Sequence, residues 1–243
     1  DAMTAPLVPP HRRRPDLHIP RRLSAVVMAA LDRERRNRPG SVAAFGEAVR
    51  SYPFGFGMLY FSPFNQACAY PLPDYEPRQQ PMIAWHMDFR EPLGDMLEQC
   101  VAFCGLGEVI ARLGTIHECW KPAVEEYERA LALATHTSRA EQECNVACYF
   151  GHLVHSTWVL FSWLAWRDHP DTVADLDTAV MRTRLEAEQT NLAEVTALLE
   201  RDPRLGFYEE HQRYHVTPEN VRAKGHADAA ILARLGQPGY PRP

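Results

Sequence analysis

A single stretch restricts the fold more than any other: residues 139–168, RAEQECNVACYFGHLVHSTWVLFSWLAWRD, contain no Asp, Glu, Lys or Arg between Glu143 and Arg167. Apolar side chains fall on every face of a helix drawn through it (Val146, Tyr149, Phe150, Leu153, Trp158, Phe161, Leu164, Trp166), so the helix must be enclosed by neighbours or by lipid. At 1.5 Å per residue it would be about 43 Å long, a rod around which the rest of the chain can pack. Trp158 and Phe161 are its expected structural anchors.

The 21 uncharged residues 146–166 are long enough for a bilayer. His152, His155, Ser156, Thr157 and Ser162 lie inside the run, acids precede it, and amphipathic helices flank it. Those features favour a protein core, so no membrane partner is expected. Across 243 residues, 46% are hydrophobic, enough for a sizeable core. The net charge of -5 conceals a split, since residues 1–50 hold ten Arg against five acids. The basic patch at Arg12, Arg13, Arg14, Arg21 and Arg22 has no interleaved aromatics, and nucleic acid is not expected as a partner. Six cysteines (Cys68, Cys100, Cys104, Cys119, Cys144, Cys148) are too few for a disulfide scaffold in so long a chain. With no signal-peptide pattern at the start, reduced thiols in a soluble cytoplasmic protein are the expectation.

Flanking segments read as helices. After an extended Pro- and Arg-rich leader, Leu23, Val26, Val27, Ala30 and Leu31 keep helical spacing, and Ser41 opens a second helix after Pro39-Gly40. Residues 53–88 are dense in proline and aromatics and read as an irregular segment whose rings lie against a helical surface. From Arg90 the pattern is helical, with Gly114 read as a stop and Pro122 as the next start. Pro170 should break the central helix and Asp171 cap the one that runs to Arg201, which Asp202-Pro203 ends. Thr217-Pro218 opens the last helix, through Val221, Ile231 and Leu232. The fold expected is all-α: an antiparallel helical bundle over residues 89–243, an N-terminal helical hairpin over residues 1–52, and the irregular Pro/aromatic segment over residues 53–88.

The segment VPPHRRRPDLHIPRRLSAVVMAALDRERRNRPGSVAAFGEAVR resembles the C-terminal end of a bacterial Ser/Thr protein kinase domain. The resemblance makes Arg38, in the Arg38-Pro39 pair, the buried arginine that meets a glutamate of the activation segment. That glutamate has no counterpart here, and no Gly-rich loop, strand Lys, His-Arg-Asp loop or Asp-Phe-Gly is present. Kinase shape without kinase activity is the expectation.

A second resemblance spans residues 60–235. YFSPFNQACAYPLPD, HSTWVLFSWLAWRD and LEAEQTNLAEVTALLERDPRLGFYEEHQRY are similar to the C-terminal helical region of large bacterial glycoside hydrolase-like proteins, where it follows a catalytic barrel. Glu188, Asn191 and the run from Asp202 to Phe207 carry it best. Where that family has Arg and Asn on the central helix, this chain has His155 and Trp158. The family's catalytic carboxylates belong to the barrel, so no catalytic residue and no cofactor transfers to this chain. The resemblance implies a fragment or fusion whose partner is carbohydrate or a missing catalytic domain, with self-association through the surface that domain would cover.

Two groups of residues are the candidate sites. Tyr60, Asn65 and Asp74 on the Pro/aromatic segment, with Arg204, Tyr208, Glu209, His211 and Tyr214 after the long helix, mix rings and polar groups as sugar binding requires, and they are expected to meet at one end of the bundle. Cys144, Cys148, His152 and His155 form a stripe on the central helix with soft-metal ligand types, and Cys100 with Cys104 makes a second such pair. That stripe supports an alternative reading as a metal-dependent enzyme. The acid pairs Glu125-Glu126 and Glu209-Glu210 are expected to be solvated.

Overall fold

The computed structural model describes residues 64–74, 105–133, 138–173, 175–206 and 216–237, together with Pro9, Arg12, Asp95, Val101 and Tyr240. The kinase-like hairpin with Arg38, the pair Cys100 and Cys104, Tyr60, and Tyr208, Glu209, His211 and Tyr214 lie outside the described residues. Within them the chain is all-α: four helices, α1 (Leu106–Leu131), α2 (Ser138–Asp168), α3 (Thr178–Arg201) and α4 (Pro218–Arg234), with a 3₁₀ helix over Phe64–Ala69 and no strand among the described residues.

The registers of the contacts define an antiparallel bundle. Along α1 and α2, Gly114 meets Trp158, His117 meets His155 and Trp120 meets Ala147, so one helix rises as the other descends. Along α2 and α3, Ser162 meets Arg184, Ser156 meets Glu188 and Asn145 meets Arg201, again in opposite directions. α4 returns beside α3 through Lys224 to Glu188 and Arg182 to Leu235. One hydrophobic cluster joins all four helices and residues 64–72.

The helix ends follow local chemistry. Asp177 accepts from the Val180 N–H at 2.8 Å and caps α3, while Thr217 accepts from Asn220 N at 3.3 Å and Pro218 occupies the first position of α4. Asp171, the expected cap of α3, lies in the preceding turn instead. Asp177 takes over because its carboxylate stands directly before the first helical residues, beyond the turn that Pro170 starts. After α3, Gly206 adopts φ 108, and a Cβ there would stand 2.6 Å from the Val216 carbonyl oxygen. Only glycine fits that turn.

The expected break between Gly114 and Pro122 does not occur: α1 is one helix of 26 residues that contains both. Gly114 is not a stop but a clearance, since a Cβ there would lie 3.2 Å from the Trp158 indole nitrogen. Pro122 costs the Glu118 carbonyl its helical partner, and the surrounding run of good helix formers carries the helix through.

α2 spans 31 residues, about 46 Å, and supplies the spine. Its enclosure is graded. From Val159 to Arg167 every residue is buried, whereas Val146, expected inside, is 56% exposed. Phe161 is fully buried; Trp158 is half-buried, with the Arg184 guanidinium 4.1 Å from its ring centroid. No helix among the described residues is long and apolar enough to cross a membrane.

Residues 64–74 are core, not a surface wrap. Ala67, Cys68 and Tyr70 are fully buried, and the segment runs along α2 and α4. The indole N–H of Trp163 and Nη1 of Arg167 both donate to the Pro73 carbonyl, at 2.8 and 3.0 Å. The Leu72 N–H donates to Asp228 at 3.1 Å. These bonds satisfy the polar backbone of an irregular segment inside an apolar core.

Candidate functional site

Polar groups concentrate where α2, α3, α4 and the 3₁₀ helix meet. The apolar stripe of α3 (Met181, Leu185, Leu192, Val195) passes through Glu188, and that of α4 (Val221, Ile231) through Lys224 and Asp228. Helical phase therefore carries three ionisable side chains into the core, where all three are 0% exposed. Lys224 Nζ donates to Glu188 Oε1 at 2.8 Å and to Asp228 Oδ2 at 2.6 Å. Burial alone would depress the ammonium, but the two carboxylates outweigh it and hold Lys224 above the ordinary lysine range. Burial also pushes the Asp228 carboxyl up, against the pull of Lys224.

Glu188 is the hub. Its Oε1 also accepts from Ser156 Oγ at 2.7 Å, and its Oε2 accepts from Asn191 Nδ2 at 3.1 Å. Asn191 reaches Ser156 Oγ at 3.0 Å, and its Oδ1 lies 2.7 Å from His152 Nδ1. Cys68 Sγ lies 3.5 Å from Ser156 Oγ, and its thiol is pushed up to about 12 by burial and then by Glu188. His155 Nε2 stands 3.5 Å from Glu188 Oε2 without hydrogen-bond geometry. The other ring nitrogen of His155 is 3.4 Å from His117 Nε2. Burial, followed by His117, His152, Lys224 and Arg184, lowers His155 to about 3, so it is a neutral imidazole. Apart from His155 Nε2, which is buried without a hydrogen-bond partner, the network's charges and hydrogen bonds are spent on one another.

An open feature of the described surface lies at the far end of the bundle. A cleft of about 520 Å³ sits between the last turns of α1, the first turns of α2 and the turn after α3. Glu128, Leu131, Cys144, Asn145, Cys148, Arg201, Asp202 and Arg204 are among its lining residues. Asp202 is its electrostatic centre. Arg204 donates to both carboxylate oxygens, at 2.7 and 2.5 Å, and Asn145 adds a bond of 3.0 Å. The Arg204 hydrogen bonds hold Asp202 down to about 2. Arg201 in turn donates to Asn145 Oδ1 at 3.2 Å.

Of the expected ligand surface, the described members Asp74 and Arg204 do not come together. Asp74 is at the end where Pro73 meets Trp163 and Arg167, bound by the Arg234 guanidinium and by the Tyr240 hydroxyl at 2.6 Å. Asn65 is half-buried on the 3₁₀ helix. Arg204 is beside Asn145, some 20 residues and about 30 Å further along α2. Residues 64–74 run alongside α2 with their end near Trp163, so Asp74 cannot face Arg204.

Neither does the predicted metal stripe converge. Cys144 and Cys148 open on the cleft, His152 turns to Asn191, and His155 turns to His117 and Glu188. Among the described residues no three His, Cys, Asp or Glu side chains are placed to hold a metal ion. Burial pushes both thiols up, Cys148 to about 12, so both are protonated at neutral pH.

Of the residues that matter most to the network, Glu188 and Asn191 stand in the stretch that carries the glycoside hydrolase resemblance. Lys224, Asp228, Ser156 and Cys68 do not figure among the expected site residues. The readable signal was phase: a Lys and an Asp four apart, in register with Val221 and Ile231 on the buried stripe of α4. No family model, curated protein or solved structure matches this chain.

Proposed function

We propose that the chain is a non-catalytic helical binding or scaffolding module, acting in the cytoplasm, that presents the projecting ends of α1 and α2 to a carbohydrate-processing domain. One observation carries this reading. From His117 to Glu143 no described side chain is buried, although α1 continues to Leu131 and α2 has begun at Ser138. Isolated helices of this length are marginal in water, so an arm that beyond Trp120 has no described side chain packed in the core is best explained as a contact surface. Leu133 at its tip is 86% exposed and Val146 56% exposed, apolar groups that a partner would cover. The carbohydrate side of the proposal comes from the glycoside hydrolase-like resemblance and from the mixed polar cleft that the arm lines.

The test combines sedimentation velocity at rising concentration with a glycan array, for wild type, for Leu133→Glu with Val146→Glu, and for Arg204→Glu. Self-association abolished by the double variant, or a glycan signal abolished by Arg204→Glu, with helicity unchanged in each, supports a contact surface. A wild type that stays monomeric and binds no glycan sinks the proposal.

A further inference from the structure

The Lys224, Glu188 and Asp228 cluster has no part in a docking role, yet it contains the components of an amide-forming reaction. Lys224 offers an amine 2.6 Å from Asp228 Oδ2, and Glu188 Oε1 lies 2.8 Å from the same nitrogen as a proton carrier. The Leu72 N–H, 3.1 Å from Asp228 Oδ1, is placed to stabilise the negative charge that grows on that oxygen when the carboxyl carbon becomes tetrahedral. All three side chains are fully excluded from solvent, so bulk water neither solvates the amine nor returns to hydrolyse a product. Burial holds the Asp228 carboxyl up, which favours its acid form, the form with a hydroxyl to lose. Lys224 and Asp228 are neighbours on successive turns of α4, so a link between them leaves the helix wound.

We propose that Lys224 and Asp228 become joined by an intramolecular isopeptide bond, formed by direct condensation with Glu188 as the proton carrier. A proton first passes from Lys224 to Asp228 along their direct contact, converting ammonium and carboxylate into amine and carboxylic acid. The Nζ lone pair attacks Cγ of Asp228 and the N–C bond forms. Glu188 takes a proton from that nitrogen and returns it to the departing hydroxyl; the C–O bond breaks and one water leaves. Amine and acid give amide and water, Glu188 is regenerated as carboxylate, and neither oxidant nor nucleotide is consumed. Because the carboxylates favour the ammonium, the initial proton transfer limits the rate. The bond therefore forms after folding, since only the fold brings α3 and residue 72 to α4.

Intact-mass spectrometry of the folded, then denatured and reduced, full chain tests this. The expected mass is lower than that of the sequence by one water. Trypsin should leave the bond after Lys224 uncut, giving a peptide of residues 223–234 that carries the water loss and no fragment ladder between 224 and 228. Glu188→Gln and Lys224→Arg should both show the full mass, as should wild type never removed from denaturant. A folded wild type of unaltered mass overturns the proposal. So does a water loss confined to Asp228 with normal cleavage after Lys224, which marks a cyclic imide. Condensation in Glu188→Gln at the wild-type rate would remove Glu188 from the mechanism.

Discussion

At the scale of single residues, the energetics are dominated by charges that helical phase takes into the core. Removing one partner of a buried ion cluster strands the rest, at a cost of about 3–5 kcal/mol. Against wild type in which Lys224 and Asp228 have not yet condensed, Lys224→Met is accordingly expected to lower the unfolding free energy by about that amount, read from urea titration by circular dichroism. A loss under about 1 kcal/mol would mean that the carboxylates find water instead. His155 gives a pH signature. Its folded value of about 3 lies below the ordinary 6.5, so the unfolded chain binds this proton more readily. Stability from the neutral imidazole is complete above about 6.5 and is lost as pH falls from there toward about 3. The slope for this one proton cannot exceed about 1.4 kcal/mol per pH unit. His155→Gln should flatten the difference in urea midpoint between pH 8 and pH 5; an unchanged difference would place the dependence elsewhere.

Among the elements, two helical glycines distinguish packing from propensity. A Cβ at Gly151 would stand 2.7 Å from Cδ1 of Trp120, whose indole nitrogen is anchored to the Ala147 carbonyl at 2.8 Å. At Gly225 the nearest atom would be 3.8 Å away, an ordinary contact. Gly225→Ala should therefore stabilise by about 0.5–1 kcal/mol. Gly151→Ala should destabilise despite the same gain in helix propensity, because overpacking costs about 1–3 kcal/mol. Equal shifts in melting temperature for the two would contradict the close approach of α1 and α2. Helix α1 should also be uneven within itself. Its buried residues are Leu106, Val109, Ile110, Leu113 and Ile116, all before the exposed arm. Amide exchange should be slow over residues 110–117 and fast over residues 124–131. Uniform protection along α1 would show that the arm is covered in solution.

For the molecule as a whole, α2 is the element on which α1, α3 and residues 64–74 all converge. Its loss is not local. Phe161→Ala, at a fully buried position, should cost about 3–5 kcal/mol and lower the unfolding of all four helices in one transition. A separate early transition of α1 and α2 alone would show that the bundle is divisible.

Much of this architecture was legible in the residues. The uncharged run of residues 144–166 specifies a long core helix because no other arrangement hides so many apolar side chains on all faces. Thr217-Pro218 and Asp202-Pro203 mark helix ends because their chemistry is local. The same local reading misplaced the cap at Asp171 and broke α1 at Gly114 and Pro122. Glycine marks an end only if its freedom is used, and Gly114 instead gives way to the Trp158 indole, which only packing against α2 reveals. Arg204 and Asp74 carry the right chemistry for a shared polar site, but the direction in which residues 64–74 run along α2 puts them at opposite ends. Sequence determines the phase of each side chain on its own helix, because that depends on 3.6 residues per turn alone. Which charged phases face each other, as Glu188, Lys224 and Asp228 do, depends on how three helices and an irregular segment are registered, and only the tertiary structure decides it.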